Sequence, residues 1–585
     1  MLLSEAMQAV HHDRALRVLL QVVEDRFKNR IPLVLGLLLV RLSGYSEKVW
    51  RGLVSKMKRS FELQFDCSAR RGRDCITREF PAEMVESLVG CKRKRKVIGV
   101  DNHPWLEKKG LSGRMRRRKR GQFAETNAFF ADSILWKSST EFYEKVGIGA
   151  WSSNDVPFGI SSSVFVAQRY AQLCQEFSSS FTSDVKTYIL DLGAGHGVFA
   201  YRLALCFKEL GCNVCVVMTD FHTGALHGHF DNDRVRQLAQ EGWLDLARVD
   251  LSCPDTKIDM VWAKRTLNLA ENPIVLVANY VLDSLPPDIY RRVDGDFQRA
   301  TVTCWPRKSN NGLFKVVNHS TVEVDFKSCE STINVNFDKA VLYPTTGIRA
   351  LNTLVGASSY PRLIVVGDKM SDTREDEMWW ATGVPGIDRH GDGGCVSCSV
   401  DPYVLEEALD NVTGSWHAER PDQSFGVSAF LVGSIPQSER LGASFRRCIS
   451  GGFSISDFDR LRGWLESDKA TRKQLLSRLV IDDLESLIAV VACDFEFFNM
   501  IKWDLNPSIY PRDRLCKLSL ACFETCLPLG GEQFLLSRLE MGRWLYVIGS
   551  FRESLAILEH DTKGWTNRKI DKLVSKNLAK LECSG

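Results

Sequence analysis

The stretch DLGAGHG (Asp191 to Gly197) sets Gly193, Gly195 and Gly197 at alternate positions, the first of them two residues after a carboxylate. Without Cβ atoms the backbone can turn tightly and a ligand can lie against it. The helix that begins at Val198 then turns its amino terminus toward that ligand. Two more acids close the strand candidates that follow: Asp220 ends NVCVVMTD and Asp250 ends DLARVD. A carboxylate at the first place can accept protons from both hydroxyls of a ribose. One at the second can accept from an adenine amino group, with Asp245 as the alternative acceptor on the same strand. The turn and the acids together predict a site for an adenosine-bearing cofactor.

The spacing of the glycines separates two classes of such cofactor. Dinucleotide-binding folds use GxGxxG. Here the pattern is GxGxG with an acid two residues ahead, the spacing of class I methyltransferases. The expected cofactor is therefore S-adenosyl-L-methionine, held by Asp191, Gly193, Gly195, Gly197, Asp220 and Asp250. Ligands of open α/β sheets lie outside the carboxyl ends of the strands, which points to NPIVLVANYVLDSLPPDIY (Asn272 to Tyr290) as the place of chemistry. Methyl transfer is an in-line displacement from an activated cation. The protein's work is alignment, exclusion of water and, for an amine acceptor, removal of one proton. Asn279 can orient the acceptor through its amide and Asp283 can hold the proton, while Pro286 and Pro287 stiffen the loop. The competing role for Asp283 is to cap a following helix.

These residues need a doubly wound α/β domain around them. Strand candidates run Thr187 to Leu192, Asn213 to Asp220, Asp245 to Asp250, Pro273 to Tyr280 and Pro361 to Gly367. Shorter pieces, Ala300 to Trp305 and Gly426 to Val432, are expected to complete a seven-stranded, Rossmann-like sheet. After Ser434 the pattern becomes helical: Ser456 to Trp464, Lys473 to Leu479, Ile481 to Cys493 and Glu532 to Glu559. Within the last, LYVIGSFRESLAILE (Leu545 to Glu559) carries the pattern of a tetratricopeptide helix hairpin. The predicted organisation is a helical region at 1–64, a mobile basic linker at 65–125, a methyltransferase domain at 126–435 and a helical domain at 436–585.

Composition bounds the rest. At 585 residues the chain exceeds one hydrophobic core. A formal net charge of +4 gives no whole-chain case for nucleic acid, yet KRKRK (Lys92 to Lys96) and RMRRRKR (Arg114 to Arg120) concentrate cations. Residues 92–120 therefore read as a polyanion-binding arm, a bipartite nuclear-localisation signal or a solvated linker. The apolar run IPLVLGLLLV (Ile31 to Val40) is half a bilayer crossing, so no membrane span is expected. Eighteen cysteines without a regular framework suit a reducing, intracellular compartment. The first 22 residues have an apolar stripe (Leu16, Leu19, Leu20) suited to an organellar presequence, but Glu5 and Asp13 oppose it. Mitochondrial and nuclear or cytoplasmic locations both stay open. The pairs Cys212/Cys215 and Cys395/Cys398 read as small buried hydrophobes, not as a metal site, because strand residues three apart point to opposite faces.

Taken together, the chain resembles the MidA-like class I methyltransferases, which include a mitochondrial complex-I assembly factor that methylates a protein arginine. It is most similar to bacterial proteins of this type with a tetratricopeptide-like helical tail. The likeness runs from about Phe142 to Leu558 through VPFGISSSVFVAQRYAQL (Val156 to Leu173), the glycine turn, ANYVLDSLPPD (Ala278 to Asp288), YPTTGIRAL (Tyr343 to Leu351), LIVVGDK (Leu363 to Lys369), PGIDRHG (Pro385 to Gly391) and SAFLVG (Ser428 to Gly433). It implies cofactor contacts at the three glycines and Asp220, and catalytic places for Asn279, Asp283 and His390. One departure bears on the substrate: the Glu that follows the family's Asn is Tyr280 here, so a carboxylate that could hold a guanidinium is missing. Three readings follow. The first is an active methyltransferase on a protein side chain, its helical tail recruiting the substrate. The second is a methyltransferase-fold scaffold or assembly factor that works by binding partners. The third is an RNA methyltransferase using the basic arm.

Overall fold

The computed structural model describes residues 125–582, except 148–158, 223–231, 294–295, 305–306, 309–313, 316–321, 330–332, 336, 338–339, 357, 372–386, 391–394, 419–424, 468, 528–530 and 560–567. The predicted helical region at 1–64 and the basic segment, apart from its last residue Glu125, lie outside the described residues.

The described chain enters with β1 (Glu125–Phe129), α1 (Ile134–Val146) and α2 (Val164–Ser178). It then alternates through β2 (Thr187–Leu192), α3 (Val198–Leu210), β3 (Val214–Asp220), α4 (Asp233–Gln240) and β4 (Leu244–Arg248). A hairpin of β5 (Lys257–Met260) and β6 (Arg265–Asn268) leads to β7 (Ile274–Asn279). Next come β8 (Asp288–Val293), β9 (Asp296–Cys304), the short β10 (Arg307–Lys308) and β11 (Phe314–Lys315), β12 (Val322–Ser328), β13 (Ala340–Tyr343) and α5 (Thr345–Val355). The strands end with β14 (Arg362–Asp368), β15 (Ile387–His390), β16 (Cys395–Cys398), α6 (Pro402–Ala408), β17 (Val412–His417) and β18 (Gly426–Val432).

Nine strands make the main sheet, in the order β17-β18-β14-β7-β2-β3-β4-β5-β6. The middle five, β14 through β4, are parallel neighbours, whereas β18, β17, β5 and β6 are joined antiparallel. Strands β2, β3, β14 and β18 are buried at every residue, as expected of strands covered on both faces, so they read as continuous apolar runs. The helix after β2 is bounded by glycines: Gly197 at its amino end and Gly211 at its carboxyl end both adopt left-handed φ, 70° and 65°.

One strand assignment from sequence moves. Residues Ala300 to Cys304 belong not to this sheet but to β9 of a second, antiparallel sheet, where β9 pairs with β1, β8 and β12, and β13 flanks β8. The half-exposed pattern of β9 suits an antiparallel sheet with one face toward solvent. Apart from β1, this second sheet is drawn from the stretch between β7 and β14. The strand expected to reach Asp250 stops at Arg248, because Oδ1 of Asp250 accepts the Ser252 N–H at 2.9 Å and its hydroxyl at 2.7 Å, which starts a turn.

Beyond β18 the described residues are helical: α7 (Ser438–Phe445), α8 (Ile455–Ser467), α9 (Lys469–Leu476), α10 (Ile481–Val490), α11 (Phe495–Ile501), α12 (Arg512–Glu524), α13 (Gly531–Val547), α14 (Phe551–Glu559) and α15 (Arg568–Glu582). The helical stretch read as Glu532 to Glu559 breaks after Val547. Gly549 takes φ 81°, and the Ser550 N–H closes on the Leu545 carbonyl at 2.9 Å. A buried polar chain then ties the last helices: Ser554 Oγ donates to the Gly542 carbonyl at 2.8 Å, and Asn577 Nδ2 donates to Ser554 Oγ at 2.9 Å. The chain divides into two compact units. The larger holds both sheets together with Val491–Trp503 and Pro511–Gly585; Gly463–Val490 and Asp504–Tyr510 are the described parts of the other. In that smaller unit Arg472 is paired with Asp504 and donates to the Leu465 carbonyl at 2.9 Å. No helix among the described residues is long and apolar enough to cross a membrane.

Candidate functional site

Strand order reverses between β2 and β7, so their carboxyl ends open side by side, with Asp191 and Leu192 opposite Val277 and Ala278. Such a reversal is where open α/β sheets hold ligands. At the end of β2 all three glycines take left-handed φ: 61° at Gly193, 53° at Gly195 and 70° at Gly197. Residues with a Cβ rarely adopt this conformation. At Gly193 a Cβ would also stand 2.3 Å from Cγ2 of Val281. The turn is fastened to β3 by the Ala194 N–H on the Thr219 carbonyl at 2.8 Å. Asp220 Oδ2 accepts the Gly195 N–H at 3.0 Å and Oδ1 accepts the His222 N–H at 2.9 Å.

Asp191 and Asp220 are 3 % and 5 % exposed. Burial raises both from their ordinary value, Asp191 well above it with the charge of Asp220 adding to the shift, and Asp220 against the pull of the His222 and Gly195 amides. Oδ2 of Asp191 is buried with no hydrogen-bond partner among the described residues. The same holds for Nδ2 of Asn279, at the end of the neighbouring β7. Two such atoms are costly to leave unmade. They fit a bound group that offers both a donor and an acceptor at this point.

Asn279 is held by residues that carry no motif of their own. Tyr170 of α2 donates its hydroxyl to Oδ1 of Asn279 at 3.2 Å. Behind them Gly367 of β14 leaves no room: a Cβ there would lie 2.3 Å from Oδ1 of Asn279, 2.4 Å from the Tyr170 oxygen and 2.6 Å from Cζ of Phe425. Tyr280 takes φ 51°, fixed by its N–H on the Gly367 carbonyl at 2.8 Å, and its ring packs on Phe425 at 5.2 Å. The one available signal was positional: Gly367 and Asp368 end a strand next to β7.

Asp283 lies in a one-turn 3-10 helix, Leu282–Ser284, so no long helix follows for it to cap. It is 6 % exposed, and its Oδ1 accepts the Ser284 hydroxyl at 2.9 Å. Burial pushes its carboxyl up to about 6, against the pull of Ser284, Lys369 and Ser397. Asp368, wholly buried, anchors this turn: its Oδ2 accepts the N–H groups of Leu282 and Asp283 at 3.0 and 3.2 Å. Burial and the neighbouring Asp283 hold Asp368 well above the carboxylate range, and burial lowers Lys369. The backbone of His390 pairs with Cys395 across the β15–β16 hairpin, and Ser397 on that hairpin is the residue that reaches Asp283.

The structure therefore brings Asp191, the three glycines, Asp220 and Asn279 to the carboxyl ends of the neighbouring strands β7, β2 and β3, with Asp283 buried in the turn that follows β7. Asp250 stands two residues past β4 with Oδ1 engaged by Ser252. Asp245, the alternative acceptor, is spent on backbone: Oδ1 takes the Trp262 N–H at 2.8 Å and Oδ2 the Ala263 N–H at 2.9 Å, which pins the turn between β5 and β6. Cys395 and Cys398 are both buried, and Cys395 donates to the Tyr143 hydroxyl at 3.0 Å.

No family model and no curated protein matches this chain. Among solved structures it is similar to an uncharacterized protein of Burkholderia thailandensis, with 13 % identity over 50 % of this chain and 86 % of the other, at a TM-score of 0.32. A member of the same superfamily from that organism, bound to S-adenosyl-homocysteine, gives 12 % identity over 49 % and 80 %, at 0.33. The apo S-adenosylmethionine-dependent methyltransferase SibL gives 12 % over 46 % and 55 %, at 0.23. At such scores the weight rests on the strand order and the residues of this chain.

Proposed function

We propose that this chain is an S-adenosyl-L-methionine-dependent methyltransferase that acts on a protein side chain, its carboxyl-terminal helices recruiting the substrate. The observation that carries the reading is the pair of buried, unpartnered polar atoms, Asp191 Oδ2 and Asn279 Nδ2, beside a glycine turn in left-handed conformation. Strand order supports it: from β17 through β4 the seven strands follow the class I methyltransferase arrangement, with the antiparallel β18 set between β14 and β17, and β5 and β6 extend the far edge. The helix hairpin that turns at Gly549 supports a tetratricopeptide-like tail.

The bound cofactor would supply an activated methyl group. The glycine turn presents backbone to it without Cβ obstruction, and Asp220 retains lone pairs for ribose hydroxyls beyond the two amides it already holds. Asp250 would meet the adenine through its second oxygen. Asn279, locked by Tyr170 and Gly367, orients the acceptor, and the Tyr280 ring lies beside it where the resemblance calls for a carboxylate. Asp283 would take the acceptor's proton, and the resemblance assigns His390 to the same step. Burial of Asp283 favours a second reading, an assembly factor that keeps the cofactor site and transfers nothing.

Calorimetry with S-adenosyl-homocysteine tests the binding site. The full chain should bind it, and Gly195→Arg, which puts a side chain into the turn, should not. No heat from the wild type would end the proposal. Transfer of a labelled methyl to lysate proteins, abolished in Asp283→Asn with binding intact, separates enzyme from assembly factor.

A further inference from the structure

Far along the chain from the glycine turn, Cys493 and Cys522 are placed for chemistry with each other. Ala492 and Cys493 take left-handed φ in succession, 57° and 54°, a strained reversal for residues that carry a Cβ. The hydroxyl of Thr525 sits 3.0 Å from the carbonyl oxygen of Cys493 and 2.8 Å from that of Cys522, so the two backbones meet at one group. Each thiol shifts the ionisation of the other, as side chains close to one another do. Cys493 is partly exposed and Cys522 buried.

We propose that Cys493 and Cys522 form a reversible modification site, in which a hydroperoxide oxidises Cys493 and Cys522 closes a disulfide. The Cys493 thiolate attacks the peroxide O–O bond, forming a sulfenic acid and releasing hydroxide. The Cys522 thiol gives its proton to that hydroxide and attacks the sulfenic sulfur. An S–S bond forms and the sulfenic oxygen leaves, taking a proton from solvent to depart as water. Two thiols lose two electrons and one hydrogen peroxide becomes two waters. The asymmetry of the pair suits these roles: the hydrogen bond from Cys522 lowers Cys493 below the ordinary thiol value against the push of burial, Glu209 and Glu524, whereas burial holds Cys522 well above it. The bridge would fix the residue next to Asp494. That carboxylate caps α2 at the Val164 N–H (2.9 Å) and α11 at the Phe497 N–H (2.8 Å), and lies 3.9 Å from the buried Arg202 of α3.

The full chain, reduced and freed of reductant, is treated with hydrogen peroxide, and its thiols are mapped by mass spectrometry after alkylation. Cys253 is exposed and serves as the internal reference. The expected result is a Cys493–Cys522 bridge that forms about tenfold faster than Cys253 oxidises and reverses with dithiothreitol. In Cys522→Ser a sulfenic acid trappable by dimedone should accumulate at Cys493. Absence of that bridge in the wild type, or oxidation of Cys493 no faster than of Cys253, overturns the proposal. The wild-type map decides alone if the serine variant fails to fold. Neither result depends on whether the chain binds S-adenosyl-homocysteine.

Discussion

Asp220 and Asp283 are both buried carboxylates, but they differ in what each holds. Asp220 braces the glycine turn through the Gly195 amide from the carboxyl end of β3. Asp220→Ala should weaken S-adenosyl-homocysteine binding by about 1.5–3 kcal/mol, the worth of hydrogen bonds to a charged group, as read by calorimetry. Asp283 ionises against its burial, and its folded pKa stands near 6 in place of 3.8. A raised carboxyl binds more protons folded than unfolded, so stability falls as pH rises from about 4 to about 6 and is level above that. The fall is worth up to about 3 kcal/mol for this group. Asp283→Asn should flatten that part of the curve in urea unfolding at a series of pH values, whereas a slope equal to that of the wild type would mean that other acids, such as Asp191 and Asp368, carry it.

At the scale of elements, the β5–β6 hairpin depends on one side chain of the neighbouring strand. Asp245→Ala strands the amides of Trp262 and Ala263 and should cost about 2–4 kcal/mol. Asp245→Asn, which keeps one accepting oxygen, should cost less. Thermal unfolding of the pair measures both, and equal losses would show that shape rather than acceptance holds the turn. This hairpin also marks where sequence was hard to read. Strands Thr187–Leu192 and Gly426–Val432 were legible to the residue because burial on both faces makes them unbroken apolar runs. Strands β5 and β6 are only four residues each, and β8 and β9 of the second sheet run from buried to exposed along their length without a clean alternation, a weaker pattern. The same limit applied to the site. Glycines and acids at strand ends announce themselves, but Tyr170 and Gly367 act through contacts that no spacing within one element encodes.

For the molecule as a whole, the basic arm at 92–120 poses a question separate from the fold. Glu125 belongs to the folded part, since its carboxylate accepts the Ser133 hydroxyl at 2.6 Å and the Ile134 N–H at 3.0 Å. A chain beginning at residue 121 should therefore keep cofactor binding, whereas a cut at Phe129 would remove the carboxylate that holds the Ser133 cap and the first N–H of α1. We propose that the arm binds polyanions. The shortened chain should lose most retention of an arbitrary RNA at low salt, and the full chain should show a steep fall with salt. Equal retention by both at every salt would leave the arm a solvated linker.

The close quarters around Gly367 reach beyond this one chain. With Asn279, Tyr170 and Phe425 all pressed on a position that admits no side chain, none of the four can drift alone over generations. A descendant with alanine at 367 must first have shifted the Asn279 amide, withdrawn the hydroxyl at 170 and shrunk the ring at 425, and with that hydroxyl goes the brace on the Asn279 amide. Positions 170, 279, 367 and 425 should therefore change together or stand still across any set of relatives, a covariation that dates the site's retuning without an assay.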